Sequence, residues 1–307
     1  MQENEAASMD LNHCGYVALV GRPNVGKSSL LNRLIGQKLA ITSHKPQTTR
    51  HTILGIHTRP GGQLLYVDTP GIHQRVDSKR RALGHYLNRA AKAMLADVDL
   101  IVLLVEALRW TEEDEQVIKA LAETQRPVVL AVNKVDRLAD KAQLLPFLQQ
   151  MASRYAFTEI IPVSATKGIN TDKLEDLLLG LLPESDNLFG EDELTDRSER
   201  FFAAELLREQ LTRRYAQEIP YALTVEIEKF EDEGERYRIN ALVWVERESQ
   251  RKILLGKQGE AMKQSASEAR MAMMAFFDKR VHLEVWVKVK QSWAVDEANL
   301  ARLGYAE

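Results

Sequence analysis

Residues 21–28 read Gly-Arg-Pro-Asn-Val-Gly-Lys-Ser, which matches the pattern G-x-x-x-x-G-K-[ST] of a phosphate-binding loop. Glycines in such a loop let backbone N–H groups turn inward around an anion, and the following helix adds the positive end of its dipole. We expect Lys27 to reach the outer phosphates and the Ser28 hydroxyl to ligate Mg²⁺. The alternative is a plain glycine turn between a strand and a helix. The expected contacts are Gly21, Arg22, Pro23, Asn24, Val25, Gly26, Lys27, Ser28 and Ser29.

A second polar segment, Asn133-Lys134-Val135-Asp136, directly follows an apolar run that reads as a strand. The Asp136 carboxylate can accept from the ring N–H and the exocyclic amine of guanine, a donor pair that adenine does not present. Ser164-Ala165-Thr166 follows the next such strand, where the Ala165 N–H can meet the guanine oxygen. An isolated N-K-x-D string is only a turn after a strand. In this order the segments predict GTP rather than ATP.

Residues 68–71 read Asp-Thr-Pro-Gly and close another predicted strand. An acid at this place can hold Mg²⁺ through water, and the Gly71 N–H can meet the γ-phosphate. Between this motif and the phosphate loop lies the polar segment Gln47–His51, from which Thr49 is the predicted metal ligand and sensor of the γ-phosphate. Such a segment by itself is more often a solvated loop. The expected nucleotide contacts are Asp68, Thr69, Pro70, Gly71 and Ile72.

Residues 256–259 read Gly-Lys-Gln-Gly, a G-x-x-G loop between two predicted helices. Its glycines let a sugar-phosphate chain approach the backbone, while Lys257 and a helix N-terminus attract phosphates. Alone this pattern is usually a helix-to-helix turn. Here it stands in the order helix, strand, strand, helix, helix, strand, which is the order of a type II KH module for single-stranded nucleic acid. The expected RNA contacts are Gly256, Lys257, Gln258, Gly259, Lys252, Lys263 and Arg270.

The charge of the chain is distributed unevenly. With 41 Lys and Arg against 44 Asp and Glu, the formal net charge is −3 and the pI about 6.2, which argues against binding nucleic acid by bulk charge. Residues 247–290 nevertheless carry ten basic and five acidic residues, a local net charge of +5. The basic character therefore surrounds the G-x-x-G loop. Some of these charges simply solvate a helix face.

Composition narrows the remaining classes. The chain has 307 residues, of which 45% are apolar and 28% charged, enough for two globular domains. Cys14 is the only cysteine, so an intrachain disulfide and a thiolate metal cluster are both excluded. The longest aliphatic run, Leu100–Val105, falls far short of the ~18 apolar residues of a membrane span. The first twelve residues do not resemble a secretion signal.

The motifs sit on elements that alternate between short apolar strands and helical patterns as far as Pro183, which predicts an α/β domain with a mostly parallel sheet and helices on both faces. A stretch rich in Pro, Gly, Ser and acidic residues then breaks the periodicity. We predict a disordered tail over residues 1–12 and a GTPase domain of the P-loop class over residues 13–184. A predicted linker over residues 185–198 leads to an α+β type II KH domain over residues 199–290. Residues 291–307 are expected to form a C-terminal tail.

The ordered motifs resemble the translation-factor-related GTPases, and within them the Era family. The resemblance spans nearly the whole chain and includes residues 38–43 (Lys-Leu-Ala-Ile-Thr-Ser), 46–51 (Pro-Gln-Thr-Thr-Arg-His) and 287–290 with Trp293. It implies a slow, GTP-hydrolysing switch that uses GTP or GDP and Mg²⁺, in which Lys27, Thr49 and Gly71 serve catalysis. Ile72 occupies the place where many GTPases have a Gln that orients water.

The resemblance also implies partners. The KH module would bind the 3′ end of 16S rRNA, and the role would be biogenesis of the small (30S) ribosomal subunit and rRNA processing. A monomer in the cytoplasm is expected, with peripheral association at the cytoplasmic side of the inner membrane. Asn24 is expected to help bind a K⁺ beside the phosphates, as in related GTPases.

Two other functions stay open on the sequence. The chain could be a non-hydrolysing RNA-binding scaffold in which GTP is structural. It could also be a GTPase of tRNA modification or of the membrane surface, whose second domain binds protein or lipid. Glu260 and the Ser265-Ala266-Ser267 stretch depart from the Era pattern beside the loop, which puts the RNA sequence preference in doubt.

Overall fold

The computed structural model describes residues 12–43, 45, 48–68, 97–215 and 219–291. Within these residues a six-stranded sheet has the order β2-β3-β1-β4-β5-β6. Its strands are β1 (His13–Val20), β2 (Ile53–Arg59), β3 (Gly62–Asp68), β4 (Leu100–Glu106), β5 (Val128–Asn133) and β6 (Glu159–Pro162). Only the β2–β3 pair is antiparallel among these described strands. The predicted mostly parallel sheet is confirmed.

Helices cover the sheet. They are α1 (Lys27–Ile35), α2 (Glu112–Leu121), α3 (Leu144–Ala152) and α4 (Thr171–Leu181). Burial on both faces explains why β4 is a continuous apolar run without the alternation of a half-exposed strand. The carboxyl ends of β1, β4 and β5 meet at one edge, where ligands bind in open α/β sheets. A further helical pattern in the sequence, over residues 82–95, lies outside the described residues.

The segment predicted as a linker is fastened to the first domain. The buried side chain of Gln63 accepts from the N–H groups of Leu188 and Phe189 at 3.1 and 3.0 Å and donates to the Phe189 carbonyl. Farther along, the Leu194 carbonyl accepts from the N–H of Ile56 in β2 at 2.9 Å. The Arg197 guanidinium then donates to the carbonyl of Thr52 at 2.9 Å. We call residues 185–198 the strap.

The second domain forms a three-stranded sheet of order β7-β8-β9 with helices packed on one face. Its elements are α5 (Glu199–Arg214), the short α6 (Ile219–Ala222), β7 (Thr224–Asp232), β8 (Arg236–Val245), α7 (Glu248–Leu255), α8 (Glu260–Phe277) and β9 (Arg280–Val289). Strands β8 and β9 are parallel, while β7 and β8 are antiparallel. This is the predicted element order with the short α6 added, and the G-x-x-G loop lies between α7 and α8. None of the described helices is long and apolar enough to cross a membrane.

Candidate nucleotide site and RNA-binding loop

The phosphate loop runs from the end of β1 into α1 through backbone angles that favour glycine. Gly21 and Gly26 have φ of 145° and 110°, and Asn24 between them has φ of 61°. Lys27 turns its ammonium group back over the loop, where Nζ donates to the carbonyls of Gly21 and Arg22 at 2.9 and 3.1 Å. Burial lowers the pKa of Lys27 to about 8. Anionic phosphates in the loop would favour the charged form of this amine.

Three oxygen-bearing side chains meet beside the loop. Ser28 Oγ donates to Asp68 Oδ2 at 2.7 Å and lies 2.9 Å from Thr49 Oγ1. Burial raises the pKa of Asp68 to about 6, although Lys27 acts in the opposite direction. The other carboxylate oxygen, Asp68 Oδ1, is buried and has no hydrogen-bond partner among the described residues. Hydroxyl and carboxylate oxygens around an unsatisfied acceptor fit a hydrated divalent cation such as Mg²⁺.

Asn133 ties three loops together at the carboxyl edge of the sheet. Its Nδ2 donates to the Val25 carbonyl in the phosphate loop at 2.8 Å, while its Oδ1 accepts from the N–H of Ala165 at 3.0 Å. A Cβ on Gly26 would lie 2.3 Å from that same Nδ2, so only glycine leaves room for the amide. Asn133 therefore fixes the phosphate loop and the predicted guanine-binding loop at Ala165 relative to each other.

Asp136, the residue predicted to bind guanine, is held in place by a hydrogen bond. Ser164 Oγ donates to Asp136 Oδ1 at 2.5 Å, and the same hydroxyl accepts from the N–H of Lys167 at 3.1 Å. Lys134 has a left-handed backbone with φ of 66°, which turns the chain so that Asp136 follows in a short 3-10 helix. The Val135 side chain is buried in the sheet core rather than facing the cleft.

Two side chains of the phosphate loop depart from the predicted contact set: Val25 is fully buried in the core of the first domain, and Arg22 points away from the cleft. Its guanidinium lies behind the loop, bonded to Glu106 at 2.9 Å and to Asp114 at 3.1 Å. Glu106 also pairs with Lys134 Nζ at 3.2 Å. Asp114 belongs to the capping box at the start of α2, with Thr111 as N-cap. Arg22 thus connects the phosphate loop to the guanine-binding segment instead of lining the cleft.

The residues around Thr49 are held by the second domain. Arg208 of α5 donates to the Thr48 carbonyl at 2.5 Å and is fixed by Glu205 at 2.7 Å. Arg50 is 1% exposed and donates to the carbonyls of Leu223 and Pro220, each at 2.8 Å. The metal-ligand candidate Thr49 therefore lies between two residues that bond to the second domain. The sequence carries no local signal for these bonds.

Three residues that precede Thr48 in the sequence, Lys38, Thr42 and Lys45, are also bonded to α5. The buried carboxylate of Glu209 accepts from the Thr42 N–H at 3.0 Å and pairs with Lys38. Lys45 donates to the carbonyls at the C-terminal end of α5, including that of Thr212. Cations at this end of a helix are favourable because its last carbonyls lack helical partners. We call residues 38–51 the switch segment.

A cleft of about 650 Å³ opens between these parts. It is lined by residues of the phosphate loop, the switch segment, the two guanine-binding loops and α5, namely Pro23, Asn24, Gly26, Lys27, Ser28, Ser29, Ile41, Thr42, Ser43, Lys45, Thr48, Thr49, Asn133, Lys134, Arg137, Ala165, Thr166 and Arg213. Sequence reasoning did not name seven of these lining residues as site residues, namely Ile41, Thr42, Ser43, Lys45, Thr48, Arg137 and Arg213. The predicted site residues Thr69, Pro70, Gly71 and Ile72 lie outside the described residues.

In the second domain, the G-x-x-G loop adopts conformations that require its glycines. Gly256 and Gly259 have φ of 69° and 80°, and Gln258 between them has φ of 54°. Gly259 precedes α8 without a side-chain cap. The N–H of Glu260, the first residue of the helix, donates to the Lys257 carbonyl, so an anion would meet the N–H groups that follow it. Lys257 and Gln258 are both exposed at the tip.

The other predicted RNA contacts flank this loop. Lys252 of α7 and Lys263 of α8 are exposed, and Arg270 is half-buried two turns beyond Lys263. Glu260 is exposed in the first turn of α8, while Ser265 is fully buried and donates to the Ala261 carbonyl at 3.0 Å. The substitution at Ser265 is therefore a matter of helix packing, whereas the charge of Glu260 faces solvent beside the loop.

Comparisons with known proteins match both domains. A family model described as 50S ribosome-binding GTPase matches residues 16–134, and a KH-domain model matches residues 218–294. The chain is 53% identical to GTPase Era of Azotobacter vinelandii over 294 residues, which cover 96% of this chain and 97% of the relative. The identity to GTPase Era of Pseudomonas aeruginosa is 51% over 296 residues, 96% of each chain.

The chain belongs to the Era family of GTPases. Two solved structures of Era match it with a TM-score of 0.91 and 35% identity, covering 96% of this chain and 100% of each of those chains. One is an Aquifex aeolicus Era variant bound to GDP and AlF4⁻, and the other is Era with MgGDPNP and nucleotides 1506–1542 of 16S ribosomal RNA. The activity of the present chain is hydrolysis of GTP, so the predicted enzyme class is confirmed.

In this Era GTPase, a side chain at position 26 would collide with Asn133. Gly26→Ala places a methyl group against Asn133 and adds strain at a φ of 110°, so we expect GDP affinity to fall at least about 100-fold. Gly36→Ala is the matched control at the other end of α1. Its φ is 76° but nothing lies within 4 Å of an added Cβ, so strain of about 1 kcal/mol is expected with unchanged affinity.

Titration with a fluorescent GDP analogue measures both variants, and thermal unfolding reports whether each is folded. Equal affinities for the Gly26→Ala and Gly36→Ala proteins would contradict the role given to the contact between Gly26 and Asn133.

Proposed function

We propose that this Era GTPase binds the 3′ end of 16S rRNA through its KH domain, under control of its nucleotide, in biogenesis of the small ribosomal subunit. The observation that carries the proposal is the bonding of the switch segment to the second domain. Thr49 is the candidate sensor of the γ-phosphate, and its neighbours Thr48 and Arg50 are bonded to the second domain. A change at the nucleotide would therefore reach the RNA-binding domain through hydrogen bonds.

The electrostatics of this interface favour a two-position switch. Arg50 and Arg208 are both buried, and a buried guanidinium is strongly destabilised when its acceptors are withdrawn. Intermediate positions of the switch segment would leave these charges unpaired. His51 adds a neutral contact, because burial lowers its pKa to about 4 and its ring packs edge-on against Phe201. Such an interface is either closed or opened as a unit.

The proposed metal ligands are Ser28 and Thr49 directly and Asp68 through water. Their oxygens lie together, and the unsatisfied Asp68 Oδ1 supports a bound water at that place. Mg²⁺ at this position would neutralise charge on the terminal phosphates. Ser28 would orient the metal from the start of α1, whereas Thr49 would report whether the γ-phosphate is present.

The proposed RNA site is the G-x-x-G loop with the basic side chains beside it. A relative of 35% identity has been solved with nucleotides 1506–1542 of 16S ribosomal RNA, and its fold matches this chain with a TM-score of 0.91. The exposed Lys257 and the uncapped start of α8 are suited to backbone phosphates. That the chain is a cytoplasmic monomer with peripheral membrane association stays a prediction from the family resemblance.

The RNA site can be tested with two well-matched glycines. Gly259 and Gly234 have φ of 80° and 82°, and nothing lies within 4 Å of a Cβ added to either. Gly259→Asp places a negative charge in the G-x-x-G loop, so we expect a loss of about tenfold or more in crosslinked 16S rRNA. Gly234→Asp makes the same change in the β7–β8 turn and should leave crosslinking near the wild-type level.

The experiment compares both variants with wild type in GTP and in GDP. A wild-type difference between the two nucleotides is expected, because the switch segment links the sites. Recovery of 16S rRNA that is equal for the two variants would refute the loop assignment, and recovery independent of nucleotide would refute the control by GTP.

The raised pKa of Asp68 predicts how metal affinity depends on pH. The metal requires the carboxylate, so Mg²⁺ affinity should be constant well above pH 6 and fall as the pH is lowered through about 6. At pH 5 the expected loss is about tenfold, since about one Asp68 in ten remains ionised. Mg²⁺ titrations of the GDP complex measure this pH dependence. The Asp68→Asn variant is titrated in parallel, because the pH dependence that it retains comes from protonation of the nucleotide itself. The same pH dependence in both proteins would contradict the prediction.

We further propose that Asn24 helps to bind a K⁺ beside the phosphates. Asn24 lines the cleft at a left-handed position of the loop. GTP turnover should then be faster in K⁺ than in Na⁺ at equal ionic strength, and Asn24→Ala should remove the difference. Equal wild-type rates in the two salts would exclude this site.

A further inference from the structure

The cleft has an unusual contributor of charge. The described residues that line it include no acidic residue and five cationic ones, namely Lys27, Lys45, Lys134, Arg137 and Arg213. Four of these cations belong to the GTPase domain. Arg213 comes instead from the last turn of α5, the first helix of the RNA-binding domain. The positive wall that faces an anionic ligand is therefore built by both domains.

Arg213 is held in place over the switch segment. Its Nε donates to the Thr42 carbonyl at 3.2 Å, and its Nη2 donates to Thr42 Oγ1 at 3.3 Å. The same Nη2 pairs with Glu209, one turn earlier in α5, at 2.9 Å. These bonds fix the planar guanidinium before any ligand arrives, so little side-chain entropy remains to be lost on binding.

The charge around Arg213 is not balanced by the protein. Glu209 is fully buried, and its one carboxylate is shared by Lys38 and Arg213. The cluster of Lys38, Glu209 and Arg213 therefore keeps a net positive charge. Arg213 remains 48% exposed, and its Nη1 has no hydrogen-bond partner among the described residues. A polyphosphate in the cleft would supply the missing negative charge.

We propose that Arg213 is a residue of the nucleotide site, contributed by the RNA-binding domain, whose guanidinium interacts with the phosphates of the bound guanine nucleotide. The simplest alternative gives Arg213 a purely structural role, in which it only fastens Thr42 to α5. The two roles differ in how they respond to the ligand's charge. A structural role affects every nucleotide alike, whereas an electrostatic role grows from GMP to GDP to GTP.

Arg214 offers a matched control. It is the next residue of the same helix, and its guanidinium points away from the cleft to Glu268 and Gln264 of α8, at 2.6 and 2.8 Å. Arg213→Gln and Arg214→Gln remove the same charge at adjacent positions. Arg213→Met is made alongside because it keeps the aliphatic stem while removing the charge. Nucleotide-free unfolding temperatures establish that each protein is folded.

The dissociation constants of GMP, GDP and GTP are measured by calorimetry for the full-length proteins. We expect Arg213→Gln and Arg213→Met to weaken GTP binding about five- to tenfold and GMP binding less than about twofold. Arg214→Gln should match wild type for all three ligands. Equal losses for the three nucleotides, or no loss with GTP, would overturn the proposal.

No RNA enters this experiment, so its outcome is independent of the proposed rRNA function. If Arg213→Gln binds GTP as wild type does while Gly259→Asp loses 16S rRNA, only the role of Arg213 fails. If the graded loss appears and rRNA crosslinking does not depend on the G-x-x-G loop, the nucleotide site keeps Arg213 and the rRNA proposal fails.

Discussion

A buried guanidinium must keep its acceptors, and the arrangement of the two domains depends on this constraint at Arg50. The side chain leaves the switch segment of the GTPase domain and ends at the carbonyls of Pro220 and Leu223, next to β7 of the KH domain. Removing those carbonyls would leave a charge in a nonpolar environment. The position of the second domain is therefore coupled to the backbone at residue 50, one residue after the proposed sensor of the γ-phosphate.

The same constraint explains why the interface contains buried polar bonds beside the apolar contact of Phe202 with the core of the first domain. The KH domain contributes Glu205, Arg208 and Glu209 from one face of α5, and each is bonded within the interface. Apolar residues in these places would hold the domains together in any nearby position, because hydrophobic contact is not directional. Charged hydrogen bonds define one register instead. For a protein that must distinguish two nucleotide states, that selectivity matters more than adhesion.

Local patterns predicted most of the fold and much of the candidate site. The phosphate loop is a contiguous motif between a strand and a helix, so the position of Lys27 and Ser28 follows from the order of elements alone. The side chain of Arg22 could not be placed in this way, because its acceptor Asp114 is 92 residues away in sequence. Arg208 and Thr48 are separated by 160 residues. Such contacts depend on tertiary packing, for which neither spacing nor periodicity gives a signal.

The strap has a consequence for how far the domains can separate. Its composition resembles a flexible linker, yet Gln63, Ile56 and Thr52 bind it along the edge of the first sheet as far as Arg197. Only one residue then precedes α5, so almost no slack chain joins the two bodies. A tether this short keeps the local concentration of each domain at its partner very high. The KH domain can pivot about residue 198, but it cannot drift away and search independently.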